Sequence, residues 1–364
     1  MTVGDISTLL VWGAMTAFTI GFLAYTADLA RIAEAASRAS RLPVETDERQ
    51  LAGVGAGVSA AAASTTAASP AASSGAAGTA AGDAAGTVPV AGGSRRAEGI
   101  SRSTTYLGVL LLLAGIVARG IAAGRWPTAN MYEFTLVGAF VAVTVLAVVQ
   151  QRRYIPFLGV VVHGIAVLAL ALALLVFYVQ ADAVQPALQS YWLVLHVGVA
   201  ISATGVFTVA FAAAVLQVLT DAREAGRSRL DAPWQRFEPV RASLQRWRVT
   251  GPAWEWLRSV PSSRELEALS FRLNSIGFVL WTFTLIGGAI WAEHAWGRYW
   301  GWDPKEVGTF IAWVVYAAYL HARTTRGWSG RRAAYFVFVG YAVVLANFTV
   351  INLFVTGKHS YSGL

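Results

Sequence analysis

The apolar residues of this chain are gathered into runs of roughly 20, the length that crosses the hydrocarbon core of a bilayer as an α-helix. That grouping leaves few folds open. Backbone polar groups in lipid must be satisfied within the protein, so only helices and closed barrels span it. Barrel strands alternate polar and apolar residues, and these runs do not. Hydrophobic residues make up 56% of the 364 positions and charged residues only 13%. The expected fold is all-α, a polytopic membrane helical bundle of about eight transmembrane helices near 7–29, 104–124, 131–150, 157–180, 191–219, 274–292, 307–322 and 333–355. The seventh is short and relies on tilt or burial. No Lys or Arg precedes the first, which is not an obvious signal peptide.

Three regions follow. Residues 1–30 hold the first transmembrane helix, 31–103 a linker, and 104–364 the membrane core. Within the linker, Leu51–Gly93 is almost wholly Ala, Gly, Ser, Thr and Val, too poor in large side chains to build a core and expected to be disordered. Loop 220–273 differs, with ten Arg, seven acids and the aromatics Trp234, Phe237, Trp247, Trp254 and Trp256. It reads as amphipathic helix lying on a membrane surface.

The net charge is +8. Because Arg residues sit between the apolar runs, they speak for topology and anionic membrane lipid, not for nucleic acid. Segments 30–103, 151–156, 220–273 and 323–332 hold seven, two, ten and four basic residues, 23 of the 28 in the chain. These segments alternate along the chain, so all share one side, which the positive-inside rule makes cytoplasmic. Both termini and segment 291–306 then face outward. The chain has no Cys, which removes disulfides and thiolate chemistry.

The outward segment reads Trp-Ala-Glu-His-Ala-Trp-Gly-Arg-Tyr-Trp-Gly-Trp-Asp-Pro-Lys-Glu, with Trp291, Trp296, Trp300, Trp302 and Tyr299 inside twelve residues. It fits an interfacial aromatic belt or a platform for a large planar ligand. Asp303, Pro304 and Glu306 predict a helix start with a capping box. Two of the five histidines, His196 and His359, fall on the same side. Two imidazoles beside an aromatic platform suit the two faces of a haem iron; the plainer readings are a helix-end residue and a tail residue. His163 and His321 lie toward the other side, where a pair at one depth would form an inner haem site, as in a membrane b-type cytochrome. A neutral His163 bonded to a neighbouring helix is the competing reading. His294, inside the tryptophan-rich segment, could be a ligand; the plainer reading is a surface residue. Arg119 either snorkels to the interface or pairs a haem propionate.

The tryptophan-rich segment closely resembles the signature of the cytochrome c assembly family. Its Trp-Asp-Pro-Lys-Glu ending resembles the system II branch, the CcsA or ResC type, called CcsB in some bacteria. Arg125-Trp-Pro-Thr-Ala-Asn130-Met-Tyr132-Glu133, Trp192-Leu-Val-Leu-His196-Val, Tyr319-Leu-His321 and Gly357-Lys-His359-Ser-Tyr361 resemble further motifs of that family. The resemblance covers about 104–364 and implies a haem-handling subunit of a cytochrome c synthase (haem lyase) in the bacterial plasma membrane. It implies haem b as cargo, ligated by His196 and His359 against Trp291, Trp296, Trp300, Trp302 and Asp303; Arg119, by its position alone, is the further candidate contact. His321 would hold haem in transit, its opposite ligand coming from a ResB-type partner. The acceptor would be apocytochrome c with a Cys-X-X-Cys-His motif. No general base or nucleophile is expected in the chain. His163 and His294 match no family motif. A transporter of another substrate would predict midplane charges or broken helices, of which the spans show few.

Overall fold

The computed structural model describes residues 1–39, 93–181, 190–228, 230–233 and 238–359. Nearly all of the 51–93 tract, and with it the expectation of disorder, lies outside them, as do Trp234 and Phe237. The described residues form ten α-helices: α1 (Val3–Ala39), α2 (Arg95–Ala123), α3 (Met131–Arg152), α4 (Pro156–Leu175), α5 (Tyr191–Glu224), α6 (Glu238–Leu244), α7 (Ser263–Trp296), α8 (Pro304–Arg326), α9 (Arg331–Phe348) and α10 (Val350–Phe354). The chain is thus an all-helical polytopic bundle. Seven stretches are long and apolar enough to cross a membrane: α1 to α5, α7, and α9 continued through α10. The stretch expected at 307–322 is helical too, as α8, but it falls outside those seven.

Local sequence sets the helix ends. Ser94, Asn130 and Ser190 cap α2, α3 and α5 with side-chain oxygens that accept N–H groups of the first turn. Ser262 and Glu265 form a capping box at the start of α7, and Gly297, at φ 69°, closes that helix in the left-handed conformation that glycine adopts without penalty.

The helices pack in two groups. Helix α1 lies against α2 and α4, while α5 lies against α7, α3 and α9. The larger core joins α1 to α5 through Phe18, Leu112, Leu136, Leu158 and Leu216. A second cluster joins α5, α7, α8 and α9, where the rings of Phe207 and Tyr316 stack at 4.0 Å. Gly277 makes that packing possible, since a Cβ there would lie 2.4 Å from the Phe207 ring. Along α7 the outer stripe Ile276, Val279, Phe283 and Ile286 is more than half exposed. Such a stripe is stable against lipid and not against water.

Segment 220–273 takes in the end of α5 and the start of α7. Between them the described residues form the seven-residue α6 and the 3-10 segments 245–247 and 252–259, where a longer amphipathic helix was expected. Trp256 is buried, stacked on Phe157 of α4 at 5.5 Å. Arg223 reaches from α5 to Glu255 at 2.5 Å.

Candidate functional site

A cleft, open at its mouth, lies at the end of the bundle that carries the tryptophan-rich segment. Its walls come from the start of α3, the first turns of α5, the second half of α7, the start of α8 and the end of α9. They are mainly apolar, with Phe134, Val197, Leu285, Val344 and Phe348 among them. Trp281 at the base donates its indole N–H to the Thr309 carbonyl at 3.0 Å, tying α7 to α8. Such a lining suits an organic molecule with a large apolar face.

His196 and His359 both line this cleft, although 163 residues part them in sequence. Trp291, 1% exposed, stands against each, stacked on His196 at 5.2 Å and tilted to His359 at 5.6 Å. Trp296 meets His359 edge-on at 4.9 Å. His196 can sit so close to α7 because residue 287 is glycine; a Cβ there would be 3.1 Å from the His196 Cβ. Each histidine is oriented through Nδ1. In His196 it donates to the Trp192 carbonyl at 2.8 Å, and in His359 to Asp303 Oδ1 at 2.8 Å. Those acceptors carry no proton, so each neutral ring keeps its lone pair on Nε2, the arrangement typical of metal-ligating histidine.

Asp303 does more than orient His359. It caps α8 through the Lys305 N–H at 3.0 Å, completes a capping box with Glu306, and accepts the Lys358 N–H at 2.7 Å. One carboxylate therefore joins the tryptophan-rich segment to the chain after α10. Burial pushes the Asp303 carboxyl up, but hydrogen bonds from His359 and from the Lys305 and Lys358 N–H groups outweigh it and hold it below its ordinary value. For His359 burial wins over the neighbouring carboxylate and pushes the imidazole down, favouring its neutral form. Lys305, ahead of the apolar stretch of α8, is pushed down to about 7 by burial, against the pull of Asp303.

The remaining sequence-predicted residues are placed less alike. Trp300 lines the cleft with Trp291, whereas Trp302 is 76% exposed, edge-on to Trp300 at 5.7 Å. Its φ of 59° is the one positive value at a non-glycine among the described residues, a strained backbone that turns the chain into Asp303. Arg119 is 2% exposed and stands away from the cleft lining, its Nε donating to Glu133 Oε1 at 3.0 Å and its Nη2 to the Val179 and Gln180 carbonyls. Arg125 also bonds Glu133, at 2.7 Å. This buried triad fixes the turn before α3.

His321 is exposed on α8. His163 is fully buried among α1, α2 and α4, with Nε2 3.0 Å from Thr105 Oγ1 and Nδ1 3.1 Å from the Gly159 carbonyl. Its neighbours are the rings of Phe18 and Tyr25. The two histidines share no contact among the described residues, and His163 has the partners of a core histidine. His294 is exposed at the end of α7 and bonded to the Ile290 carbonyl.

Sequence reasoning missed the Asp303–His359 bond, the placement of Lys305 and the gathering of Arg119 and Arg125 on Glu133. The available signals were acids and bases close to helix ends in an otherwise apolar chain.

Known proteins supply the wider setting. The cytochrome c assembly protein family profile matches residues 128–359. The cytochrome c biogenesis protein CcsA of Synechococcus sp. (strain CC9902) is 34% identical over 270 residues, covering 72% of this chain and 86% of that protein. CcsA of Parasynechococcus marenigrum (strain WH8102) is 34% identical over 276 residues, covering 74% and 89%. Among solved structures, the cytochrome c haem lyase CcmF superposes with a TM-score of 0.56 at 15% identity, over 96% of this chain and 47% of that one. The chain thus spans about half the length of that protein, and the likeness is one of fold. With the profile spanning most of the chain and CcsA relatives a third identical along nearly their whole length, this membrane protein belongs to the cytochrome c assembly family and its work is cytochrome c biogenesis.

Proposed function

We propose that the cleft receives haem b as cargo and presents it for thioether attachment to apocytochrome c. One observation carries the reading: His196 and His359 both line one apolar cleft, both stand against Trp291, and each has Nδ1 tied back so that Nε2 is the unprotonated nitrogen. In this reading the two Nε2 atoms ligate the iron, Asp303 holds His359 at the ligating angle, and Trp291 and Trp300 give the flat ring an aromatic wall. Trp296 supports His359, and Trp302 stands at the rim. The bonds formed belong to the cargo and its acceptor. Two cysteine thiols of a Cys-X-X-Cys-His motif add across the two vinyl groups, and the acceptor's own histidine displaces one of the two protein ligands.

The tryptophan end faces outward across the bacterial plasma membrane in this reading, as the distribution of Arg supports. Haem reaches it from the other side with the help of a ResB-type partner. His321, exposed on α8, is available to a ligand shared with such a subunit. For the rival b-type cytochrome, His163 would have to be a ligand, yet both its nitrogens are engaged, and a Cβ on Gly21 would lie 3.2 Å from its Nε2.

The test is cytochrome c maturation in cells that carry the chain with its natural partner. His196→Ala and His359→Ala should each abolish maturation, and imidazole in the medium should restore part of it by filling the vacated position. Full maturation in the double variant would overturn the reading.

A further inference from the structure

Lys305 has no part in the chemistry above, yet it lines the cleft. Its Nζ donates to the Asn347 carbonyl at 3.0 Å and to Asn352 Oδ1 at 2.6 Å, both neutral acceptors. An ammonium has three donors, and among the described residues Lys305 has no ion-pair partner. The acids nearest in sequence are committed elsewhere. Asp303 binds His359 and two backbone N–H groups, and Glu306 Oε2 accepts from the Gly301 and Asp303 N–H groups. Glu306 Oε1 is buried without a hydrogen-bond partner. The wall thus holds a lysine amine whose two acceptors are neutral, a group whose charged form is costly to bury unless an anion binds it. The other walls are apolar and aromatic. This division fits a flat apolar molecule that carries carboxyl groups at one edge.

We propose that Lys305 binds a propionate carboxylate of haem and so fixes which edge of the ring enters the cleft, leaving the vinyl edge at the mouth. The inference rests on the reading of the cleft as a haem site and adds a direction to it. Lys305 holds the cargo; it does not ligate iron or move a proton, and Asn347 and Asn352 position its ammonium.

The experiment titrates the full-length protein in detergent with haem b and with haem dimethyl ester, whose propionates are masked, following affinity and the bis-histidine absorption bands. Wild type should prefer haem b by about tenfold or more, as loss of a charge-assisted hydrogen bond implies. Lys305→Met should bind both forms at the level of the ester, and Lys305→Arg should keep the preference. All three should retain bis-histidine bands. An undiminished preference in Lys305→Met overturns the inference and leaves the histidine site standing. Equal affinities in the wild type overturn it as well, and that result stands even if Lys305→Met fails to fold. Failure of the wild type to bind haem at all sinks both readings together.

Discussion

Two histidine environments in this molecule share a residue type and differ in their partners and in the space around them. At the tryptophan end, His196 and His359 each spend Nδ1 on an acceptor and line an open, mainly apolar cleft. In the other half of the bundle, His163 spends both nitrogens on Thr105 and Gly159 and is packed between Phe18 and Tyr25. A buried histidine in a membrane helix is a functional candidate by default, but burial alone does not decide. What separates the two environments is that His196 and His359 border an open cleft, whereas His163 is enclosed by packed side chains.

The comparison breaks most easily at the ligands. His359→Ala or His196→Ala should remove the bis-histidine bands of haem-loaded protein, while His163→Ala should leave them intact. A somewhat smaller effect is expected at Asp303. Asp303→Ala releases His359 and the cap of α8 together, and loss of a partner that orients a metal-bound histidine typically costs about 10–100-fold in affinity. Asp303→Asn should fall between that and wild type, because it keeps an acceptor for the cap. Haem titration of the two variants checks both.

Gly287→Val sharpens the same contrast through packing alone. Its side chain would press on His196, whose Cβ already lies 3.1 Å from the position of an added Cβ. Haem affinity should fall severalfold with little loss of thermal stability. At His163 the expectation reverses. His163→Ala opens a cavity and strips two hydrogen bonds, so it should lower stability by about 2 kcal/mol, read as an earlier thermal unfolding transition, with haem affinity unchanged. His294→Ala, at an exposed helix end, should alter neither. A change in its haem spectrum would show that the cleft extends further along the tryptophan-rich segment than its lining indicates.

Much of this contrast could be read from the chain itself. Apolar runs located seven of the eight expected spans because lipid punishes any other pattern, and Asp303-Pro304-Lys305-Glu306 announced the start of α8 because capping is a local matter. The histidine pair was legible through membrane sidedness, which groups residues by side without telling how close they lie. Contacts between remote segments were not legible. Asp303 and His359 are 56 residues apart, and no local rule ties a cap residue to a tail imidazole. Arg119 read equally well as a snorkelling residue or a propionate partner, and it is held by Glu133 fourteen residues on. Lys305 drew no reading of its own from the sequence, since only the packing of α9 and α10 on α8 shows that its amine meets neutral groups. Nor does any sequence rule give Trp302 its positive φ.

The central claim is that His196 and His359 hold one iron between them. Electron paramagnetic resonance of the ferric haem-loaded protein tests it most directly, recorded for wild type, His196→Ala and His359→Ala. The account predicts a low-spin bis-histidine signal in the wild type, high-spin signals in both single variants, and a return to low spin when imidazole is added to either. A low-spin bis-histidine signal that persists in both variants without imidazole would contradict it and place the iron elsewhere in the bundle.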